Sequence, residues 1–396
     1  MSRASGPRVR TVALIILDSV GIGGAPDAAD FGDEGSATLQ HVAAAVGGLS
    51  LPNLGRLGLG NLGEIPGTAA TTSPQGAHGV MVERSPGKDT TTGHWELAGV
   101  ILERAFPTYP DGFPSALLAG FEERIGVETL GNEAASGTEI IERLGSAHLE
   151  SGRPIVYTSA DSVFQLAAHI EIIPLDRLFE MCRVARDLLR GEHEVGRVIA
   201  RPFRGVPGAF ERTPDRLDFS VEPPSRTVLD ALSHAGLDVR TVGKVSDIFA
   251  GRGVTHSHPT ESNDDGIDAV IEELGDTETG LVFANLVDFD QSYGHRNDPE
   301  GYARALEHFD RRFPEILAAA GSHGVVVVTA DHGNDPTTPS TDHSREMVPL
   351  LVAGSTISPA DLGRRETFAD CGATVAELLG VRFRGPGHSF ARQLVA

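Results

Sequence analysis

The chain has 396 residues and a formal net charge of −22. This length exceeds what one hydrophobic core usually needs, so two domains are expected. The acidic balance argues against nucleic acid or an anionic membrane as a partner, and two cysteines, Cys182 and Cys371, are too few for a disulfide framework or a cysteine-based zinc site.

The N-terminal residues 1–10 are basic and lead into a short apolar run, which resembles a signal peptide only faintly. The run ends at Asp18, and no small-residue cleavage site follows it. No apolar stretch is long enough to span a bilayer. We therefore predict a cytoplasmic protein with no nucleic-acid or membrane partner, as a monomer or weak homo-oligomer.

Short apolar runs alternate with segments of helical periodicity along the chain. The predicted strands cover residues 12–17, 155–158, 196–201, 238–242, 281–287, 325–329 and 348–353. The predicted helices cover residues 39–46, 52–57, 94–100, 115–124, 138–144, 176–190, 226–235, 267–274, 299–320 and 368–379. The regular alternation after residue 225 predicts an α/β fold with a doubly wound, mostly parallel sheet.

Two proline-rich stretches, 103–114 and 202–224, interrupt this alternation and are interpreted as linkers. We therefore predict a core domain built from residues 1–102 and 225–396. Residues 103–224 would form a smaller inserted α+β domain.

The segment Asp331-His332-Gly333-Asn334-Asp335, with His343 further on, follows the apolar run 325–328. Ligands of open α/β sheets bind at the carboxyl ends of strands, so these oxygen and nitrogen donors suit a metal site. The alternative is a loop whose acids cap turns and whose histidines are solvated.

Two other predicted strands end in acidic residues. Asp18 follows the first strand, where it is either a metal ligand or a turn carboxylate beside several glycines. Asp288 and Asp290 follow residues 281–287 and share one face if that strand continues, with His295 in the next loop. Acids that end so apolar a strand are costly to bury without a cation, so we predict Asp290 as a ligand supported by Asp288. A hydrogen-bonded helix start is the alternative.

The segment Lys88-Asp89-Thr90 precedes a predicted helix and is not a phosphate-binding P-loop, because Asp89 stands where that motif needs Ser or Thr. A hydroxyl at a helix start can simply cap the helix. It can also act as a nucleophile if a bound metal lowers the cost of the alkoxide. An arriving phosphate would then face the helix N-terminus.

The combined acids and histidines are enough for two divalent ions, and their mix suits Mn, Zn or Mg. Two ions roughly 3.5–4 Å apart can clamp the attacking and leaving oxygens of a phosphoryl group. The pattern therefore favours phosphoryl transfer over redox chemistry or acyl transfer.

The order of these residues resembles the alkaline phosphatase superfamily. Within it, the chain resembles the phosphopentomutase family in motifs spread over nearly its whole length. These motifs are Asp18-Ser19-Val20-Gly21-Ile22-Gly23, Gly87-Lys88-Asp89-Thr90, Thr92-Gly93-His94-Trp95-Glu96, Tyr157-Thr158-Ser159-Ala160-Asp161-Ser162, Gly196-Arg197-Val198-Ile199-Ala200-Arg201-Pro202 and Asn285-Leu286-Val287-Asp288-Phe289-Asp290.

This resemblance implies a role for each matching residue. Thr90 would be the phosphorylated nucleophile. One metal would be bound by Asp18, Asp331 and His332, and the other by Asp290, His295 and His343. Contacts to the sugar or its distal phosphate would come from Ser159, Asp161 and Arg197. Lys244 and Lys88 would lie nearby.

The resemblance also implies two Mn2+ ions per chain, with Mg2+, Co2+ or Zn2+ as substitutes, and an inserted domain that acts as a cap. The substrates would be small sugar phosphates, ribose or deoxyribose 1-phosphate interconverted with the 5-phosphate, and glucose 1,6-bisphosphate or ribose 1,5-bisphosphate would be the activator. Three other functions remain open: a phosphatase or phosphodiesterase of the same superfamily, a cofactor-independent phosphoglycerate mutase, and a non-catalytic sugar-phosphate sensor.

Overall fold

The structure is a computed structural model that describes residues 9–159 and 161–395. Residues 1–8, most of the basic segment that faintly resembles a signal peptide, lie outside this range. Ala160 of the Tyr157–Ser162 motif also lies outside it. Among the described residues, no helix combines the length and apolar character that crossing a membrane requires.

The described strands are, in chain order, β1 Thr11–Leu17, β2 Ala77–Met81, β3 Leu130–Ala134, β4 Ile155–Thr158, β5 Val163–His169, β6 Arg197–Val206, β7 Ala209–Arg212, β8 Leu217–Ser220, β9 Asp238–Val242, β10 His256–His258, β11 Gly280–Leu286, β12 Gly324–Thr329, β13 Val348–Ala353 and β14 Ala360–Arg365. The α-helices are α1 Thr38–Ala45, α2 Pro52–Leu57, α3 Thr90–Leu97, α4 Ser115–Ile125, α5 Gly137–Ser151, α6 Leu175–Leu188, α7 Val228–His234, α8 Val245–Ile248, α9 Asn263–Asp276, α10 Pro299–Ala320, α11 Ala369–Leu378 and α12 Ala391–Leu394.

The chain divides into two compact units. One comprises residues Met1–Arg104 and Pro223–Ala396, and the other, which we call the inserted unit, comprises Ala105–Glu222. The first is therefore built from two separate parts of the sequence, and each unit has a sheet of its own.

The discontinuous unit contains an eight-stranded sheet in the order β10-β9-β11-β1-β12-β13-β2-β14. Strands β10, β9, β11, β1 and β12 are parallel, whereas β13 runs antiparallel to both β12 and β2. Every residue of β1, β11 and β12 is buried, as expected for strands covered on both faces. The predicted mostly parallel α/β sheet is confirmed.

The inserted unit contains the sheet β3-β4-β5-β6-β7, with β8 also paired to β6. One of its apolar clusters includes Phe164, Leu166 and Val198 with residues of α4 and α6, and another includes Tyr157 and Phe203 with residues of α5. Helices therefore cover both faces of this smaller sheet.

The interpretation of residues 202–224 as a linker is wrong. Strand β6 continues through Pro202 to Val206, and this stretch also holds β7 and β8. Proline and glycine act here as turn residues, because Pro207 and Gly208, the latter at φ 85°, connect β6 to β7. By contrast, residues 103–114 contain neither helix nor strand.

Several strands have no counterpart among those predicted, namely β2, β3, β5, β7, β8, β10 and β14. Most are short or contain glycine or charged residues, so neither an apolar run nor strict alternation marks them. Pairing with neighbouring strands in the folded sheet, rather than local preference, determines these segments.

Candidate metal centre and nucleophile

Three adjacent parallel strands bring the candidate ligands together. Strand β1 pairs with β11 on one side and with β12 on the other, so the carboxyl ends of all three lie at one edge of the sheet. Asp18 directly follows β1, and Asp331 lies two residues beyond β12. This is the edge at which open α/β sheets bind ligands.

Strand β11 does not continue far enough to place Asp288 and Asp290 on one face. The strand ends at Leu286, and Asp290 lies in a π-helical turn, Phe289–Tyr293. The Asp288 carboxylate accepts a hydrogen bond from the Asn263 backbone N–H at 2.7 Å, where α9 begins. The alternative of a hydrogen-bonded helix start therefore describes Asp288, and Asp290 remains the candidate ligand.

We call Asp18, Asp331 and His332 the strand-end group. His332 Nε2 lies 3.5 Å from Asp18 Oδ1 and 3.4 Å from Asp331 Oδ2. Their exposed fractions are 2%, 0% and 1%, respectively. These donors are enclosed at the end of the central strands.

We call Asp290, His295 and His343 the loop group. The Asp290 carboxylate lies 3.0 Å from His295 Nε2 and 3.5 Å from His343 Nε2. One ligand atom from each member lies within 4.8 Å of the others, and the same is true of Asp18, Asp290 and His332. Asp290 therefore links the two groups.

The charge balance within the strand-end group is unfavourable without a cation. Burial raises the pKa of Asp18 well above its ordinary range, and the nearby carboxylates of Asp331 and Asp290 raise it further. Among the described residues, Asp18 Oδ1 and Asp331 Oδ2 are buried and meet no hydrogen-bond donor of good geometry. Enclosed acceptors of this kind fit a divalent ion, because a buried polar atom without a partner is costly.

The other titratable groups are perturbed by their neighbours. Burial works to raise the pKa of Asp331, but His332 and His94 outweigh it and the pKa is lowered. Burial likewise opposes the lowering of the Asp290 pKa, which His343 and His295 nonetheless hold well below its ordinary range. Burial lowers the pKa of His332, which favours the neutral imidazole that ligates metals.

Thr90 is the first residue of α3, and its hydroxyl lies 3.2 Å from His332 Nε2. The helix is capped by Asp89, which accepts a hydrogen bond from the Thr92 backbone N–H at 3.0 Å. The Thr92 hydroxyl donates to the same Asp89 carboxylate at 2.5 Å. Thr90 is therefore not the cap, and of the two hydroxyls it is the one beside the candidate ligands.

The two lysines have protein partners. Lys88 Nζ lies 3.0 Å from Asp33 and 3.8 Å from Asp342, while Lys244 Nζ donates to Gln291 Oε1 at 3.1 Å. Gln291 follows Asp290 in the π-helical turn, and the positive charge of Lys244 opposes the rise in the Asp18 pKa. Lys244 thus lies near the candidate ligands.

Ser159, Asp161 and Arg197 all belong to the inserted unit. Arg197 begins β6 and lies 3.9 Å from Asp161 and 3.6 Å from Asp218. The pairing of β5 with β6 places Arg197 opposite Val163, just beyond the loop that holds Ser159 and Asp161. The structure therefore places Asp161 beside Arg197.

Three buried polar residues beside the candidate ligands were not predicted from the sequence. Asn285 donates to Asp18 Oδ2 at 3.0 Å, and Asn334 donates to Asp290 Oδ1 at 2.9 Å. His94 Nδ1 lies 3.1 Å from Asp331 Oδ2. An asparagine inside the apolar strand β11 was a usable signal, since buried amides require hydrogen-bond partners; Asn334 and His94 carried no comparable signal.

The backbone of Ser19 was not anticipated either. Its φ of 71° is in the left-handed region, and its N–H donates to Asp331 Oδ1 at 3.1 Å. Its carbonyl accepts the Asn334 N–H at 3.1 Å. This conformation, which is unfavourable for serine, ties the end of β1 to the segment after β12.

Comparison with known proteins gives consistent results. A model of the metalloenzyme superfamily matches residues 10–382. Phosphopentomutases from Desulfitobacterium hafniense and Symbiobacterium thermophilum are 56% and 59% identical to this chain, each over 98% of it, and the matches cover 100% and 99% of those relatives. A solved structure of a protein from Pyrococcus horikoshii has a TM-score of 0.50 at 17% identity, with 95% of this chain and 98% of that chain covered. The last similarity concerns the fold alone.

Proposed function

Because the chain belongs to the phosphopentomutase family within the metalloenzyme superfamily, we propose that it interconverts the 1-phosphate and 5-phosphate of ribose or deoxyribose. Membership of this family makes the chain an isomerase that moves a phosphoryl group.

The observation that carries the mechanism is the position of Thr90. Its hydroxyl begins a helix, lies 3.2 Å from His332 and is not used to cap α3. The backbone N–H groups of a helix's first turn, together with the helix dipole, stabilise a phosphoryl group placed there. Thr90 is therefore the residue we assign as the covalent phosphoryl carrier.

The residues present fit two divalent ions. Asp18, Asp331 and His332 would hold one, and Asp290, His295 and His343 the other, with Mn2+ expected and Mg2+, Co2+ or Zn2+ as substitutes. Bound ions of this kind neutralise phosphoryl oxygens and lower the pKa of an attacking hydroxyl.

In the proposed cycle, phospho-Thr90 donates its phosphoryl group to the free hydroxyl of the sugar monophosphate. The bond from phosphorus to the Thr90 oxygen breaks as the bond to the sugar oxygen forms, and the proton of the sugar hydroxyl ends on the Thr90 oxygen. This gives a bound 1,5-bisphosphate. After the sugar reorients, its other phosphoryl group returns to Thr90. Glucose 1,6-bisphosphate or ribose 1,5-bisphosphate would phosphorylate Thr90 initially.

We further propose that Ser159, Asp161 and Arg197 bind the sugar or its distal phosphate, with Lys244 and Lys88 in support. The guanidinium of Arg197 suits two-pronged binding of a phosphate. Water must be kept from phospho-Thr90, because water as acceptor would turn the reaction into hydrolysis.

Phosphorus NMR of the full chain with Mn2+, ribose 5-phosphate and a trace of glucose 1,6-bisphosphate tests this function. A growing ribose 1-phosphate signal without free phosphate is expected. Free phosphate alone would instead indicate a phosphatase that uses the same residues.

Thr90→Ala tests the nucleophile, with Thr91→Ala as the matched control on the next residue of α3. Thr90→Ala should abolish transfer and the phosphorylated form seen by mass spectrometry, while Mn2+ binding persists. Normal turnover by Thr90→Ala would rule out the assignment. Loss of activity in Thr91→Ala alone would transfer the role to Thr91.

A further inference from the structure

His94 connects the nucleophile's helix to the candidate ligands. It lies on α3, its exposed fraction is 0%, and its ring stacks on Phe283 with centroids 5.7 Å apart. Its Nδ1 lies 2.9 Å from the Thr90 carbonyl oxygen and 3.1 Å from Asp331 Oδ2. Its Nε2 lies 3.3 Å from the side-chain nitrogen of Asn285. One imidazole therefore contacts a ligand, the backbone of Thr90 and a residue that supports another ligand.

The neighbours of His94 determine which ring nitrogen carries the proton. Asn285 Nδ2 donates to Asp18 Oδ2 at 3.0 Å, and the flipped amide would place its oxygen against that carboxylate. The same nitrogen faces His94 Nε2, which must therefore accept. With Nε2 as the acceptor, the Nδ1 hydrogen is donated to the Thr90 carbonyl oxygen, and Asp331 Oδ2 lies 3.1 Å from the same nitrogen.

We propose that His94, oriented by Asn285, is a positioning residue that holds the Asp331 carboxylate and the first turn of α3 in the geometry needed for metal binding and transfer. The inference rests on the proposed function, and it adds two residues to those that the family resemblance implies. His94 acts through Asp331 and Thr90, while Asn285 acts on Asp18 directly and on Asp331 through His94.

The physical basis is the enclosure of Asp331. A carboxylate that can rotate loses ligand geometry, and outer partners that prevent rotation typically change metal affinity or activity about 10–100-fold. Close packing leaves little room for adjustment, since a Cβ on Gly93 would approach the Asp331 carbonyl oxygen to 2.2 Å. A substitution at His94 should therefore change the orientation of the Asp331 carboxylate, because local movement cannot compensate for it.

Two substitutions at His94 separate the functions of its two nitrogens. The amide of His94→Asn can occupy the place of Nδ1 and keep a donor beside Asp331 and the Thr90 carbonyl. The amide of His94→Gln reaches the place of Nε2 and loses that donor. We expect His94→Gln to bind Mn2+ at least about tenfold more weakly by calorimetry, while His94→Asn remains close to the parent chain.

The kinetic signature should follow the same order. In His94→Gln, kcat should fall while KM for ribose 5-phosphate changes little, because no contact with the sugar is removed. Asn285→Ala, which leaves His94 in place but removes the donor to Asp18, should also weaken Mn2+ binding.

His148 provides the matched control, because it is another histidine of 0% exposure, in the inserted unit. Its Nδ1 lies 2.7 Å from the Arg153 carbonyl oxygen, and its Nε2 accepts the His169 N–H at 2.8 Å. His148→Gln should lower stability and leave Mn2+ affinity unchanged.

Equal Mn2+ affinity in His94→Gln and the parent chain would overturn the proposal, and so would equal losses in His94→Gln and His148→Gln. If the His94 variants fail to fold, unchanged affinity in Asn285→Ala decides against it. A parent chain that binds no Mn2+ or transfers no phosphoryl group would instead refute the proposed function itself.

Discussion

The strand-end group and the loop group contain the same kinds of donor in different settings. Asp18, Asp331 and His332 follow central strands and are enclosed. His295, in contrast, lies in a short turn after Asp290, its side chain is 36% exposed, and its Nδ1 lies 2.6 Å from the carbonyl oxygen of Thr341. Support for the first group comes from the sheet, whereas much of the support for the second comes from an exposed loop.

This difference affects how each group can function. An enclosed site needs little reorganisation when its ligand binds, but it gathers like charges that are costly without a cation. A site on a loop relieves that cost through solvent and ion pairs and is less rigid. We therefore expect the strand-end group to bind its metal more tightly and to hold Thr90 more strictly.

The largest expected effect is on phosphoryl transfer. Asp331→Asn, which removes a buried charge from the strand-end group, should lower kcat about 10²–10³-fold, comparable to the loss of one transition-state contact. His295→Gln should cost less, about 10–100-fold. Steady-state assays at saturating Mn2+ measure both, and equal losses would break the distinction between the groups.

Metal release gives a second comparison. Because the loop group is more exposed, its ion should leave about tenfold faster when a chelator is added. Stopped-flow release from the Mn2+-loaded chain should show two phases, with the faster phase further accelerated in His295→Gln. A single phase would indicate that Asp290 joins the two groups into one cooperative site.

Stability without metal should change in the opposite direction from function. Asp18→Asn removes a buried charge that Asp331 and Asp290 repel, so the metal-free chain should gain about 0.5–2 kcal/mol in free energy of unfolding. Urea denaturation of parent and variant measures this gain. A loss of stability would show that the Asp18 carboxylate has a structural role that does not involve a metal.

The smallest expected effect is on the pH dependence of the metal-free chain. The pKa of Asp290 is lowered from an ordinary 3.8, so its stabilising contribution is lost as pH falls. Burial opposes a charged His295 ring, but Asp290 favours it more strongly, so the pKa of His295 is raised from an ordinary 6.5. The stabilising contribution of His295 is therefore lost as pH rises. Stabilisation by this pair should therefore be greatest between these pH values.

His295→Gln should remove the high-pH part of that dependence from unfolding free energies measured between about pH 5 and 8. An unchanged pH profile in the variant would assign the dependence to another group. Bound Mn2+ should reverse the trend, because histidine must be neutral to ligate a metal.

The sequence by itself determined the architecture of the central sheet. Apolar runs identified β1, β11 and β12, and the full length of α10 was predicted despite Pro314 inside it. Its motifs also predicted the family, which the relatives confirm. These features are local, since burial on both faces requires continuous apolar residues and a helix requires its period.

Only the tertiary structure decided how the ends of these strands are completed. Asp290 lies in a turn that no sequence pattern predicted, and Asp288 accepts a hydrogen bond at the start of α9. The contacts of Asn285 and His94 likewise join residues far apart in sequence. No local pattern encodes such contacts, because a buried polar side chain is satisfied by whichever partner the packing brings near. The sequence therefore determined which donors gather at the sheet edge, and the fold determined which of them face one another.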